Sequence, residues 1–189
     1  MNKDPMKKFA TLLLALACTG YAGGAQEKPK WDVTEPLGRT TKLEFETSEG
    51  TWMNVVVSPG GRQIAFGLLG DIYVMPIAGG AATRITSGPA FDMQPRFSPD
   101  GKRIVIASDR NGATNIWTID LEGKNAAQVS RDARWFINSP TWSPDGQFIF
   151  ARHHFVKERS LGAGEIWMYH ASGAEGVQVT EKTSWQKDQ

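Results

Sequence analysis

The chain has 189 residues, 40% of them apolar and 22% charged, which is enough to bury a core and too apolar for a disordered chain. Its formal charge of +1 leaves no basic footprint for nucleic acid. The three histidines, His153, His154 and His170, come late, and no cysteine or paired aspartate stands at metal-ligand spacing around them, so no bound metal or other cofactor is expected in this chain.

The N-terminus sets Lys3, Lys7 and Lys8 before an apolar run from Phe9 to Cys18, followed by the small residues Ala22, Gly23, Gly24 and Ala25. That order is a secretory signal peptide over residues 1–25: the run is too short to span a bilayer, and cutting after Ala25 puts small residues at the −1 and −3 positions. The expected product is periplasmic or secreted, with no membrane span. The rival reading is a lipoprotein signal with Cys18 as the lipidated residue, against which Ala15 stands where leucine is usual. Losing residues 1–25 removes three lysines and Asp4, turning the charge from +1 to −1, and removes the one cysteine. Stability must then come from packing without disulfides.

Residues 26–49 form a lead-in, polar and punctuated by Pro29, Pro36 and Gly38, that ends in a first strand. The strand is expected over Leu43-Glu44-Phe45-Glu46-Thr47, where apolar and polar residues alternate.

From residue 50 to 182 the text repeats. Ser58-Pro59-Gly60-Gly61, Ser98-Pro99-Asp100-Gly101 and Ser143-Pro144-Asp145-Gly146 each precede an apolar run, and their serines are 40 and 45 residues apart. Proline presets φ, aspartate bonds its own backbone and glycine accepts positive φ, so each motif is a hairpin turn. The run Ile104-Val105-Ile106-Ala107 is unbroken, which fits a strand covered on both faces. Each copy leads into a second block (Asp71-Ile72-Tyr73, Asn115-Ile116-Trp117, Glu165-Ile166-Trp167) and a third (Arg84-Ile85-Thr86, Gln128-Val129-Ser130, Gln178-Val179-Thr180). Four short strands per 40 to 45 residues is the signature of a β-propeller blade. The fold class expected is all-β, with three four-stranded blades over residues 50–88, 89–132 and 133–182, and residues 183–189 beginning the next inter-blade loop. Propellers have about four to eight blades, so three make an incomplete one: a fragment, a truncated product or one part of an assembly. The outer faces of the first and third blades would be uncovered, which makes self-association a partner reading.

The Ser-Pro-Asp-Gly turns followed by Asn115-Ile116-Trp117 or Glu165-Ile166-Trp167 resemble the TolB-like family of propellers, which implies a six-bladed type. A narrower resemblance rests on Glu49-Gly50-Thr51-Trp52, Leu68-Leu69-Gly70-Asp71-Ile72-Tyr73, Pro76-Ile77-Ala78-Gly79-Gly80 and Arg159-Ser160-Leu161-Gly162-Ala163-Gly164-Glu165-Ile166-Trp167. These look like the propeller that precedes the metal-dependent barrel of exported amidohydrolases. Nothing in the chain matches that barrel's His-x-His motif, since His153 and His154 are adjacent. The resemblance therefore implies no catalytic residue here, and any divalent metal would belong to the absent hydrolase domain.

A meandering blade sends the loop between its second and third strands to the same face as the connection to the next blade. On that face the separations from Ile64 to Ile72, Ile104 to Ile116 and Ile149 to Ile166 grow from 8 to 12 to 17 residues. The third loop, Arg152 to Gly164, is the longest and most basic. Arg152, His153, His154, Lys157 and Arg159, with Trp135 and Phe136 nearby, are the candidate docking or ligand face, because loops on a rigid scaffold carry binding. The bland alternative is a solvated hairpin. Asp109-Arg110-Asn111-Gly112 opens like a calcium loop but lacks the later ligands and the closing glutamate. Trp117, Trp142 and Trp167 recur in the repeats and are expected in the core.

Two functions fit. One is a periplasmic interaction or scaffold domain that binds a protein, as a stand-alone TolB-like protein would. The other is the propeller part of an exported hydrolase, either an amidohydrolase or a prolyl-oligopeptidase-like peptidase whose catalytic domain carries a Gly-x-Ser-x-Gly elbow.

Overall fold

The structure is a computed structural model that describes residues 38–51, 53–133, 136–154 and 164–180. Twelve strands form three four-stranded antiparallel sheets, and no helix occurs among the described residues. The first sheet holds β1 (Val55–Val57), β2 (Gln63–Leu68), β3 (Asp71–Pro76) and β4 (Thr83–Arg84). The second holds β5 (Asp92–Phe97), β6 (Arg103–Ser108), β7 (Asn115–Asp120) and β8 (Ala127–Gln128). The third holds β9 (Phe136–Trp142), β10 (Phe148–His154), β11 (Gly164–His170) and β12 (Val177–Gln178). In each the strands pair in chain order, as a meander. The all-β, incomplete propeller expected from the repeats is the fold observed.

Parity along the second strand of each sheet decides where the core lies. Ile104 and Ile106 pack against Ala65, Ile72, Val74 and Ile85 of the preceding sheet. Val105 and Ala107 point the other way, against Ile137, Ile149, Ala151 and Tyr169 of the following sheet. All four β6 residues are fully buried, so the unbroken apolar run is a strand dry on both faces. We call the side of a sheet that meets its predecessor the leading side and the other the trailing side. Trp117 and Trp167 lie half-buried on leading sides, and Trp142 packs against the second core.

The turns form as their residues require. Ser98 Oγ donates to Asp100 Oδ1 at 2.6 Å and accepts the Arg103 N–H at 3.0 Å, while the Lys102 N–H also reaches Asp100 at 3.1 Å. These bonds, that from Ser98 foremost, hold the Asp100 carboxyl below its ordinary range. The first turn keeps the backbone bonds, Gly61 N to Ser58 O and Ser58 N to Gln63 O at 2.8 Å each, although Gly60 replaces the aspartate. Asp109-Arg110-Asn111-Gly112 is likewise a hairpin turn, closed by Gly112 N to Asp109 O at 2.7 Å.

The outer strands are only two residues long, and a side-chain clasp fastens each. Thr86, Ser130 and Thr180 accept the N–H of Ile72, Ile116 and Ile166 at 2.8, 2.8 and 2.9 Å. The same hydroxyls donate to Asp71, Asn115 and Glu165, fifteen residues earlier in every case. Burial raises the Asp71 carboxyl above its ordinary range, against the pull of Arg84.

One expected element is absent. Leu43–Thr47 forms no strand and is exposed, with Leu43 and Phe45 among the exposed large apolar side chains. Alternation supplies an apolar side but no hydrogen-bond partner, and a strand exists only when a neighbour takes its backbone groups.

Two pairs of substitutions test this account. Gly101 and Gly123 have the same backbone twist, φ 70° and 73°, but a Cβ on Gly101 would meet only Pro59 at 3.7 Å, whereas on Gly123 it would drive into the backbone of Ile85, 3.0 Å from the carbonyl carbon. Gly101→Ala should therefore cost about 1–2 kcal/mol and Gly123→Ala roughly 1–3 kcal/mol more, read as the difference in urea midpoints. Ser130→Ala strands the buried Ile116 N–H and should cost about 1–3 kcal/mol. The matching Thr180→Ala, in an exposed clasp, should cost under about 1 kcal/mol in the same assay.

Candidate functional site

The third sheet carries the candidate residues, and strand parity divides them. β10 and β11 are both seven residues long, so Arg152, His153 and His154 stand in a strand rather than in the loop the sequence suggested. Ile149 and Ala151 face the second sheet, so His153 does too, while Arg152 and His154 lie on the trailing side.

On the trailing side Phe136 pairs with His154 across the ladder, and their rings lie 5.7 Å apart. His154 Nε2 meets Asn138 Oδ1 at 3.1 Å. Arg152 runs over Gly164, where an added Cβ would stand 3.0 Å from its Cγ. Trp135, Lys157 and Arg159 lie outside the described residues.

On the leading side His153 sits in the wedge between the second and third sheets. Its ring lies edge-to-face with that of Trp167, centroids 4.7 Å apart, and its Nε2 lies 3.3 Å from Asp132 Oδ2. Burial pulls the imidazole below its ordinary pKa, and Asp132 offsets this in part. Asp132 is itself placed by Asn115, which accepts its N–H at 2.9 Å and donates to its carbonyl at 2.8 Å. The second sheet shows a related arrangement: the Arg110 guanidinium lies 5.2 Å from the Trp117 ring and bonds Asp92 at 2.8 Å.

Beside His153 opens a cavity of about 680 Å³, lined among others by Arg131, Asp132, Trp167, Tyr169 and Glu175. Burial holds the Tyr169 phenol well above its ordinary range, so it stays protonated and can donate. Gly176 lets the chain cross that ring, since a Cβ there would fall 2.8 Å from Tyr169 Cδ1. The wedge can hold a polar group between aromatic walls. Among the described residues no three His, Cys, Asp or Glu side chains converge. The sequence reading named His153 but left out Asp132, Tyr169 and Glu175. The alternation Ile149, Ala151, His153 was the signal that placed His153 toward the preceding sheet.

A family model of the TolB beta propeller domain matches residues 38–184. The uncharacterized peptidase YuxL of Bacillus subtilis is 32% identical over 96 residues, which span 50% of this chain and 14% of YuxL. The Tol-Pal system protein TolB of Bordetella pertussis is 41% identical over 59 residues, spanning 31% of this chain and 14% of TolB. Among solved structures, TolB from Acinetobacter baumannii matches with a TM-score of 0.57 at 23% identity, over 72% of this chain and 34% of its own, a likeness of fold. The matched stretches thus span about a seventh of the curated relatives. With three repeated sheets in register and a family model running through all of them, the chain belongs to the TolB beta propeller domain family.

Proposed function

We propose that this propeller domain is the protein-interaction part of an exported hydrolase, and that it docks through the loop end of its third sheet. The observation behind this is the growth of that sheet. β9, β10 and β11 have seven residues each where β5, β6 and β7 have six. The added residues are Phe136, His154 and Gly164, with Arg152 two positions before His154 on the same side of β10, and the sequence puts Trp135, Lys157 and Arg159 in the connections beyond. Arginine and tryptophan are the side chains most enriched at interface hot spots, and a rigid sheet beneath them spares the ordering cost of docking. Export rests on the signal-like residues 1–25, which lie outside the described residues.

Two hydrolases compete as the docked domain. The similarity to a peptidase over half of this chain favours a serine peptidase of the α/β-hydrolase type. The amidohydrolase reading rests on the short blocks around Trp52, Tyr73, Gly79 and Trp167, and its divalent metal would sit in the other domain. A stand-alone binding protein is favoured only by the similarity to TolB.

The coding sequence after Gln189 separates the three. A Gly-x-Ser-x-Gly motif supports the peptidase, a His-x-His motif the amidohydrolase, and further blades before a stop the stand-alone protein. In a protein that carries a catalytic domain, Arg159→Ala should weaken docking or activity by about 1 kcal/mol or more. Lys102→Ala, on the opposite face, should change either by less than about 0.5 kcal/mol. Equal and negligible effects would move the contact away from this loop.

A further inference from the structure

The wedge between the first and second sheets shows what this chain places over a tryptophan at one position of the repeat. There the Arg110 guanidinium lies 5.2 Å from the centroid of the Trp117 ring, bonds Asp92 at 2.8 Å and donates to Ser108 Oγ at 2.9 Å. A cation is thus held between an aromatic ring, a carboxylate and a hydroxyl, nearly out of water, since the Arg110 side chain is only 17% exposed.

The wedge between the second and third sheets repeats that frame without the arginine. Trp167 follows the clasp residue Glu165 by two positions, as Trp117 follows Asn115. The carboxylate has moved: Ile137 holds the place of Asp92, six residues before the turn serine, and Asp132 supplies the acid from the connection between the sheets. The sequence counterpart of Arg110 is Phe155, which lies outside the described residues. Among the described residues no guanidinium or ammonium lies over Trp167. The cavity of about 680 Å³ opens at this place, between Ser130 and Asp132 on one side and His153, Trp167 and Tyr169 on the other.

We propose that this cavity binds a guanidinium or ammonium group on an aliphatic stem, such as the arginine or lysine side chain of a peptide, with Trp167 and Tyr169 as walls and Asp132 and Glu175 as the acids that hold its charge. The volume suits a ligand of that size. Tyr169 is 4% exposed, yet its hydroxyl forms no hydrogen bond among the described residues, so its oxygen is open to a donor from the ligand. Glu175 is exposed at the rim, where an arriving cation meets it first. Two carboxylates face one competing cation, Arg131, whose side chain is exposed. Burial lowers the pKa of His153, so near neutral pH the imidazole brings no charge against the ligand. The cavity lies on the opposite side of the third sheet from Arg152 and His154, so this proposal and the docking function above stand or fall separately.

The test is isothermal titration calorimetry of the full chain with N-acetyl-arginine amide and with its neutral isostere, N-acetyl-citrulline amide. The arginine probe should bind, and the citrulline probe should bind at least about tenfold more weakly, having lost the charge-assisted hydrogen bonds. Asp132→Asn and Glu175→Lys should each weaken the arginine probe by about tenfold. Circular dichroism should show both variants folded, and Glu175→Lys, at an exposed site, decides the outcome if Asp132→Asn does not fold. A parent chain that does not bind the arginine probe overturns the proposal, as does equal affinity for the two probes. Unchanged affinity in Glu175→Lys also overturns it, because the probe is then held elsewhere.

Discussion

Everything in this molecule follows from one constraint: a twisted four-stranded sheet with apolar residues on both faces cannot bury them alone. Ile104 and Val105 are adjacent in the chain and buried in different cores, one shared with the first sheet and one with the third. No single sheet therefore has a core of its own, and stability is a property of the contacts between sheets, as in other repeat architectures. Loss of one contact leaves two sheets half-dressed, so changes at the wedges should act at a distance in a way that changes in the turns do not.

What the wedges need from the backbone is close approach. The bulge at Gln94, φ 55°, recurs at Ser139, φ 52°, and Gln94 Oε1 accepts the Ser139 N–H at 2.6 Å, tying one innermost strand to the next. Trp142 Nε1–H donates to the Arg96 carbonyl at 3.2 Å, a second tie between the same two strands. Gly123 and Gly173 bring the outer hairpins onto the preceding sheet, against Ile85 and Gln128. The corresponding Gly79 and Gly80 meet nothing within 4 Å, because no sheet precedes theirs among the described residues.

Much of this was legible in the sequence because turn chemistry is local. Ser98-Pro99-Asp100-Gly101 carries its own hydrogen-bond partners, and three spaced copies are enough to define the repeat. The clasps were visible only as pattern: Asp71 and Thr86, Asn115 and Ser130, and Glu165 and Thr180 keep a constant separation, yet nothing local says that they touch. Leu43–Thr47 failed as a strand for the opposite reason, having the right alternation and no partner. In the candidate site, the run of basic residues drew attention to the end of β10, but neighbours in sequence are not neighbours on a sheet. His153 and His154 point into different surroundings, Asp132 with Trp167 for one and Asn138 with Phe136 for the other, and only the register of β10 decides that.

The two-residue outer strands β4, β8 and β12 have a further consequence. A long bare edge is a template on which other chains extend a sheet, the route to fibrils. Here each outermost strand offers a ladder of two residues before the chain turns away, and the clasp hydroxyl already occupies a backbone N–H just beyond it. The rims of the sheets are thus poor seeds for amyloid-like growth even though the flat sides of the sheets are apolar.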